Sequence, residues 1–306
     1  MAINKAMKLA LKALSYPDIE ISKFYKPLRA VQKAAKGAML HIYKQLDRKI
    51  ITNGREVTVR VYAPTDQKSD KVLIFFHGGG WVAESIDTYN DVCLNLAKMT
   101  GCRVVSVEYA LAPESPFPEG LDDCYAVAKE FFTMPALFDT TPSDIILIGD
   151  SAGGNLAAAV SLMARDKGEF SVPAQILIYP ATNNDHTENS PYKSVIENGT
   201  EYLLTSKHIC EYMALYASGP DDFNNPYFAP LLASNFSNQP KTLVITAEYD
   251  PLRDEGEEYG KRLQQAKNDV EIHRIPDVLH GFISLDIKHE PVKHAFEIIS
   301  NFIDRI

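Results

Sequence analysis

A serine flanked by small residues, Gly149-Asp150-Ser151-Ala152-Gly153, stands between an apolar run and an Ala-rich helical pattern. A strand that turns directly into a helix forces the intervening residue into strained backbone geometry and crowds it on both sides. Its flanking positions must then be nearly free of side chain. Ser151 is thus predicted at the end of a sheet strand, its hydroxyl in a cleft. The first amides of the following helix, with their partial positive charge, would face the reacting group.

The rest of the chain supplies such a sheet. Asn53-Gly54, between Lys49 to Ile51 and the alternating Val57, Val59 and Val61, is a two-residue hairpin signal, and Pro64 ends the second arm. Strand candidates then alternate with helical stretches: Val72 to Phe76, Arg103 to Val107, Asp144 to Ile148, Ala174 to Tyr179, Thr242 to Thr246 and Glu271 to Ile275. Continuous apolar strands separated by helices imply an α/β fold with a mostly parallel, doubly wound sheet, opened by an antiparallel hairpin.

Two segments stand outside this rhythm. Ile3, Ala6, Met7, Ala10, Leu11 and Leu14 recur at helical spacing, and a second amphipathic run carries Leu28, Val31, Ala35, Met39, Ile42 and Leu46. Residues 1–48 are therefore expected to be an N-terminal helical cap segment. Residues 49–306 would be the catalytic domain, interrupted at about 183–225 by a polar, Pro-containing stretch expected to complete the cap, since long loops in compact domains are usually functional. The leader is basic: Lys5, Lys8, Lys12, Lys23, Lys26, Lys33, Lys36, Lys44, Lys49, Arg29 and Arg48 outnumber Asp18, Glu20 and Asp47. Lipid contact by these helices is the rival reading to packing over the domain. The net charge of −9 over 306 residues argues against nucleic acid as a partner. No apolar run is long enough for stable membrane insertion, and the start lacks a cleavable leader pattern, so a cytoplasmic protein is expected. The four cysteines, Cys93, Cys102, Cys124 and Cys210, show no paired spacing and predict neither a metal site nor disulfides.

For acyl transfer Ser151 needs a general base, an acid that orients the base, and donors for the oxyanion. Asp250 follows the Leu243-Val244-Ile245 strand, and His280 lies in the loop after Glu271 to Ile275. His273 falls within a strand; His41, His208, His289 and His294 fall on helix-like stretches and His186 in the polar insertion, all with packing or surface roles. Asp254 and Glu255 begin a helix, where the dipole alone favours acidic residues. His77-Gly78-Gly79-Gly80 directly follows the Val72 to Phe76 strand, and glycines let backbone N–H groups turn inward. Gly78, Gly79 and Ala152 are the expected oxyanion donors. A phosphate-binding loop is the rival for the glycines, but Trp81 follows where a Lys-Ser/Thr pair would be needed. His77 is expected to organise its loop.

The chain resembles the hormone-sensitive-lipase-like esterases, the bacterial family IV branch of the α/β-hydrolases. The resemblance rests on His77-Gly78-Gly79-Gly80-Trp81, Tyr109-Ala110-Leu111-Ala112-Pro113-Glu114, Gly149-Asp150-Ser151-Ala152-Gly153-Gly154, Asp250-Pro251-Leu252-Arg253-Asp254-Glu255-Gly256 and His280-Gly281-Phe282. It implies an α/β-hydrolase fold and a cofactor-independent serine carboxylesterase for short- to medium-chain esters. Ser151 would be nucleophile, with Asp250 and His280 completing the triad. It also implies a homodimer. Two positions depart from the pattern: Ala110 stands where family members usually carry an arginine expected to anchor the nearby loop, and Glu84 where a glycine is common. An amide-directed hydrolase with the same triad and a non-catalytic small-molecule receptor are the alternative functions.

Overall fold

The strands form where apolar runs can be covered on both faces, and their order follows from short helical crossovers. The computed structural model describes residues 20–35, 47–52, 54–64 and 67–306. Strands β1 (Asp47–Thr52), β2 (Arg55–Tyr62), β3 (Val72–Phe76), β4 (Arg103–Glu108), β5 (Ile145–Asp150), β6 (Ala174–Ile178), β7 (Lys241–Tyr249) and β8 (Val270–Leu279) make one sheet, ordered β1-β2-β4-β3-β5-β6-β7-β8. β1, β2 and β4 pair antiparallel; from β4 to β8 every pairing is parallel. All residues of β3, β5 and β6 are buried, as expected of central parallel strands.

The strands after Ser151 differ from expectation in length. β7 runs on to Tyr249 and β8 to Leu279, because Tyr249 pairs with Leu279 beyond a register shift after Ala247. Asp250 and His280 are therefore the first residues beyond two neighbouring parallel strands, and are carried to the same edge of the sheet.

Helices α1 (Ile21–Ala35), α2 (Asn90–Thr100), α3 (Glu119–Thr133), α4 (Ala152–Lys167), α5 (Lys193–Asn198), α6 (Ser206–Tyr216), α7 (Arg253–Gln265) and α8 (Glu290–Ile303) are described. α5 and α6 lie within the 183–225 insertion. Thr205 caps α6 by accepting from the His208 N–H. The first amphipathic run, Ile3 to Leu14, and Met39, Ile42 and Leu46 of the second lie outside the described residues, as does His41. Within α1 the partly buried positions are Ile21, Tyr25, Leu28, Arg29 and Gln32, one face at helical spacing, whereas Val31 is exposed. That face packs toward α6, and the Ile21 N–H donates to Glu211 Oε2 at 2.9 Å. No described helix is long and apolar enough to cross a membrane.

The end of β4 is tied to the segment beyond the glycine loop through Glu108, whose Oε2 accepts the Ile86 N–H at 2.7 Å. Burial pushes the Glu108 carboxyl up to about 7, against the pull of that hydrogen bond. A carboxyl raised by folding contributes stability below its unfolded pKa and loses it as pH rises through the folded one. Glu108→Gln should therefore gain stability relative to wild type between pH 4.5 and pH 7.5, by on the order of 2 kcal/mol. Urea titrations of both proteins at the two pH values measure this; a difference that stays constant with pH would refute it.

Candidate active site

Ser151 occupies a left-handed conformation, φ 55° and ψ −118°, between β5 and the first residue of α4. Its N–H donates to the Ile178 carbonyl at 2.9 Å, which pins the turn to the next strand. The flanking glycines are required by contact. A Cβ on Gly149 would overlap the Gly153 carbonyl, and one on Gly153 would overlap that of Phe76.

His280 Nε2 lies 2.8 Å from Ser151 Oγ, and His280 Nδ1 lies 2.7 Å from Asp250 Oδ2. A carboxylate accepts only, so Nδ1 carries the proton and Nε2 offers its lone pair to the serine hydroxyl. Asp250 is fully buried, and its Oδ1 accepts the Leu252 N–H at 2.8 Å. These three residues, named from the sequence on separate loops, meet at one end of the sheet.

The glycine loop departs from expectation at one position. The Gly78 N–H donates to Asp150 Oδ1 at 2.9 Å, so it is already engaged and does not face the cleft. Gly79, Gly80 and Ala152 line the cavity with Ser151, and their N–H groups have no protein partner among the described residues. Gly78, expected as a donor, is thus engaged elsewhere, while Gly80, which was not expected, has an unengaged N–H among the described residues. Gly79 and Gly80, at φ 105° and 62°, adopt conformations that a side chain would strain.

Asp150 links loop and serine turn. Besides Gly78, it accepts the hydroxyls of Tyr89 at 2.9 Å and Tyr179 at 3.3 Å through Oδ2. Burial pushes its carboxyl up to about 6, while those hydrogen bonds and nearby His280 hold it down. His77 does organise its loop: its Nδ1 contacts the Gly78 carbonyl at 2.8 Å and its ring stacks on Tyr109 at 4.3 Å. Complete burial lowers it to about 4, which keeps the ring neutral at pH 7. Trp81 stacks on Tyr216 of α6 with centroids 4.5 Å apart, joining the loop to the insertion.

Three contributors escaped the sequence reading. Glu255, expected only as a helix-start charge, is fully buried; it accepts the Thr182 and Asn183 N–H groups and lies 2.6 Å from His186 Nε2, holding the root of the insertion. Gln32 of α1 donates to Glu84 Oε1 at 2.5 Å. Arg29 donates from Nε to the Val82 carbonyl at 2.7 Å and from Nη2 to that of Ala112 at 2.6 Å, and pairs with Glu114 at 3.0 Å. The loop that Ala110 leaves without an adjacent arginine is thus anchored by an arginine from α1.

The cavity above Ser151 measures about 240 Å³ and is closed on one side by Leu204, Ile209 and Tyr212 of the insertion. A model of the alpha/beta hydrolase fold family matches residues 73–284, which includes the glycine loop, the serine turn, Asp250 and His280. The chain belongs to that family. Within it, this hydrolase is of the hormone-sensitive-lipase-like branch. It is 35% identical over 276 residues to the carboxylic ester hydrolase LipN of Mycobacterium tuberculosis, covering 88% of this chain and 71% of that one. To an arylesterase of Saccharolobus solfataricus it is 34% identical over 238 residues, 78% of this chain and 76% of the other. Among solved structures, a hyperthermophilic esterase from the archaeon Pyrobaculum calidifontis superposes with a TM-score of 0.86 at 35% identity, covering 100% of this hydrolase and 99% of its own chain.

Proposed function

We propose that the protein is a serine carboxylesterase for small, short- to medium-chain esters, working through an acyl-enzyme. The observation that carries this reading is the continuous chain of hydrogen bonds from Ser151 through His280 to buried Asp250 at the floor of the cleft. Ser151 Oγ attacks the ester carbonyl as His280 Nε2 takes its proton. Asp250 orients the ring and stabilises the imidazolium. The carbonyl oxygen, now negative, is held by the N–H groups of Gly79, Gly80 and Ala152 at the start of α4. His280 returns the proton to the leaving alcohol, and water activated by the same imidazole releases the acid. These groups supply each proton transfer, so the reaction needs no cofactor.

The names of the three relatives above, a carboxylic ester hydrolase, an arylesterase and an esterase, support an ester over an amide, and an assembled triad argues against a receptor without catalysis. α1 and the 183–225 insertion act as the cap: α1 packs on α6, and α6 reaches the cleft through Ile209 and Tyr212. The four free thiols suit a reducing compartment, so this reading includes the cytoplasm, and with it the homodimer that the resemblance implies.

A cleft of about 240 Å³ falls below the roughly 300–1,000 Å³ typical of drug-sized ligand sites, which favours short acyl groups. Across p-nitrophenyl esters of increasing chain length, kcat/KM should peak among the short to medium acyl groups and fall for longer ones. A preference for long-chain, emulsified substrate would overturn the small-ester assignment.

A further inference from the structure

The cleft contains a carboxylate that the triad chemistry does not use. Glu84 lines the cavity with Ser151 and His280, on the segment that leaves the glycine loop. Its backbone lies at φ 69°, a left-handed conformation that glycine adopts freely and a glutamate adopts at a cost. Such strain at a binding site points to a use for the side chain.

The surroundings narrow that use. Gln32 donates to Oε1, and no lysine, arginine or histidine among the described residues pairs with this carboxylate. The other cleft carboxyl, Asp150, has its oxygens taken by Gly78, Tyr89 and Tyr179. Tyr212 and Tyr89 also line the cavity. Burial, with Glu84 and Glu211 adding to it, pushes the Tyr212 hydroxyl up to about 12, so its ring stays neutral. A carboxylate without a cationic partner among the described residues, set among neutral aromatic rings and aliphatic walls, attracts one chemistry above others: an organic cation, held by charge and by the ring quadrupoles. The chain's net charge of −9 would favour the approach of such a substrate.

We propose that Glu84 makes this enzyme selective for esters that carry an ammonium group, in either the acyl or the alcohol part. The proposal rests on the carboxylesterase reading and names the substrate class of the same site. If Glu84 served only to tether Gln32, a glutamine in its place would serve as well and charge would not matter.

Two pairs of esters that differ in charge but hardly in shape test this. Choline acetate is matched by 3,3-dimethylbutyl acetate, and methyl 4-(trimethylammonio)butanoate by methyl 5,5-dimethylhexanoate. The readout is the cationic-to-neutral ratio of kcat/KM in wild type and in Glu84→Gln, so that any change in overall activity cancels. In at least one pair the ratio should fall by about tenfold or more on substitution. Ratios unchanged in both pairs overturn the proposal. p-Nitrophenyl acetate is assayed alongside: if wild type fails to hydrolyse it, the esterase reading itself falls, whereas its hydrolysis with unchanged ratios removes only the role of Glu84.

Discussion

Ser151→Ala is expected to lower kcat for p-nitrophenyl acetate by about 10⁴-fold or more, the range seen when one member of such a triad is removed. Without Oγ no acyl-enzyme can form, and the His280 ring, 2.8 Å away, has no proton to take. The expected residue of activity comes from the cleft and the backbone donors acting on water. Because the triad works as a unit, adding His280→Ala to Ser151→Ala should cost little more. A fluorophosphonate probe should label wild type at Ser151 and leave the alanine variant unmodified. Ester hydrolysis near the wild-type rate in Ser151→Ala would refute the assignment of the nucleophile.

Gly153→Ala is expected to destabilise the fold by about 3 kcal/mol or more, since overpacking of this kind typically costs 1–3 kcal/mol and here the obstacle is main chain. The added methyl would overlap the Phe76 carbonyl of β3, with the His77 carbonyl also close. Neither can turn aside as a side chain would, because Phe76 pairs with both β4 and β5. To make room, α4 must lift from the strand that carries the glycine loop. Melting temperature should fall by roughly 5 °C or more, and activity should drop with it, because Ala152 and Gly79 would no longer face the same point. Gly219→Ala is the control: φ is −167° and nothing lies within 4 Å of an added Cβ, so its melting temperature should match wild type. Equal melting temperatures for all three proteins would show that α4 does not sit against β3 as described.

The central strands were legible because burial on both faces demands unbroken apolar runs, and β3 begins and ends where its run does. The triad was legible because each member follows its own strand. What stayed hidden was non-local or carried by backbone alone. Three successive glycines give no sign of which N–H turns inward, so Gly78 was named where Gly80 faces the cleft. The His186–Glu255 contact joins residues 69 apart, and neither neighbourhood announces the other. The ends of β7 and β8 depend on a shared irregularity that no single strand pattern contains. In α1 the apolar spacing suggested Val31 on the buried face, but that face includes Arg29 and Gln32, whose polar heads have partners on distant loops.

Arg29 also bears on how the loop beside the cleft is held. Its guanidinium reaches carbonyls 53 and 83 residues further along the chain and anchors the loop for which the family resemblance implied an arginine beside Tyr109. What the contacts use is a fork-shaped cation at one point in space, which a residue distant in sequence supplies. With Ala110 in place, Arg29 on the leading helix carries this anchoring, so a change at position 29 acts directly on the loop beside the cleft.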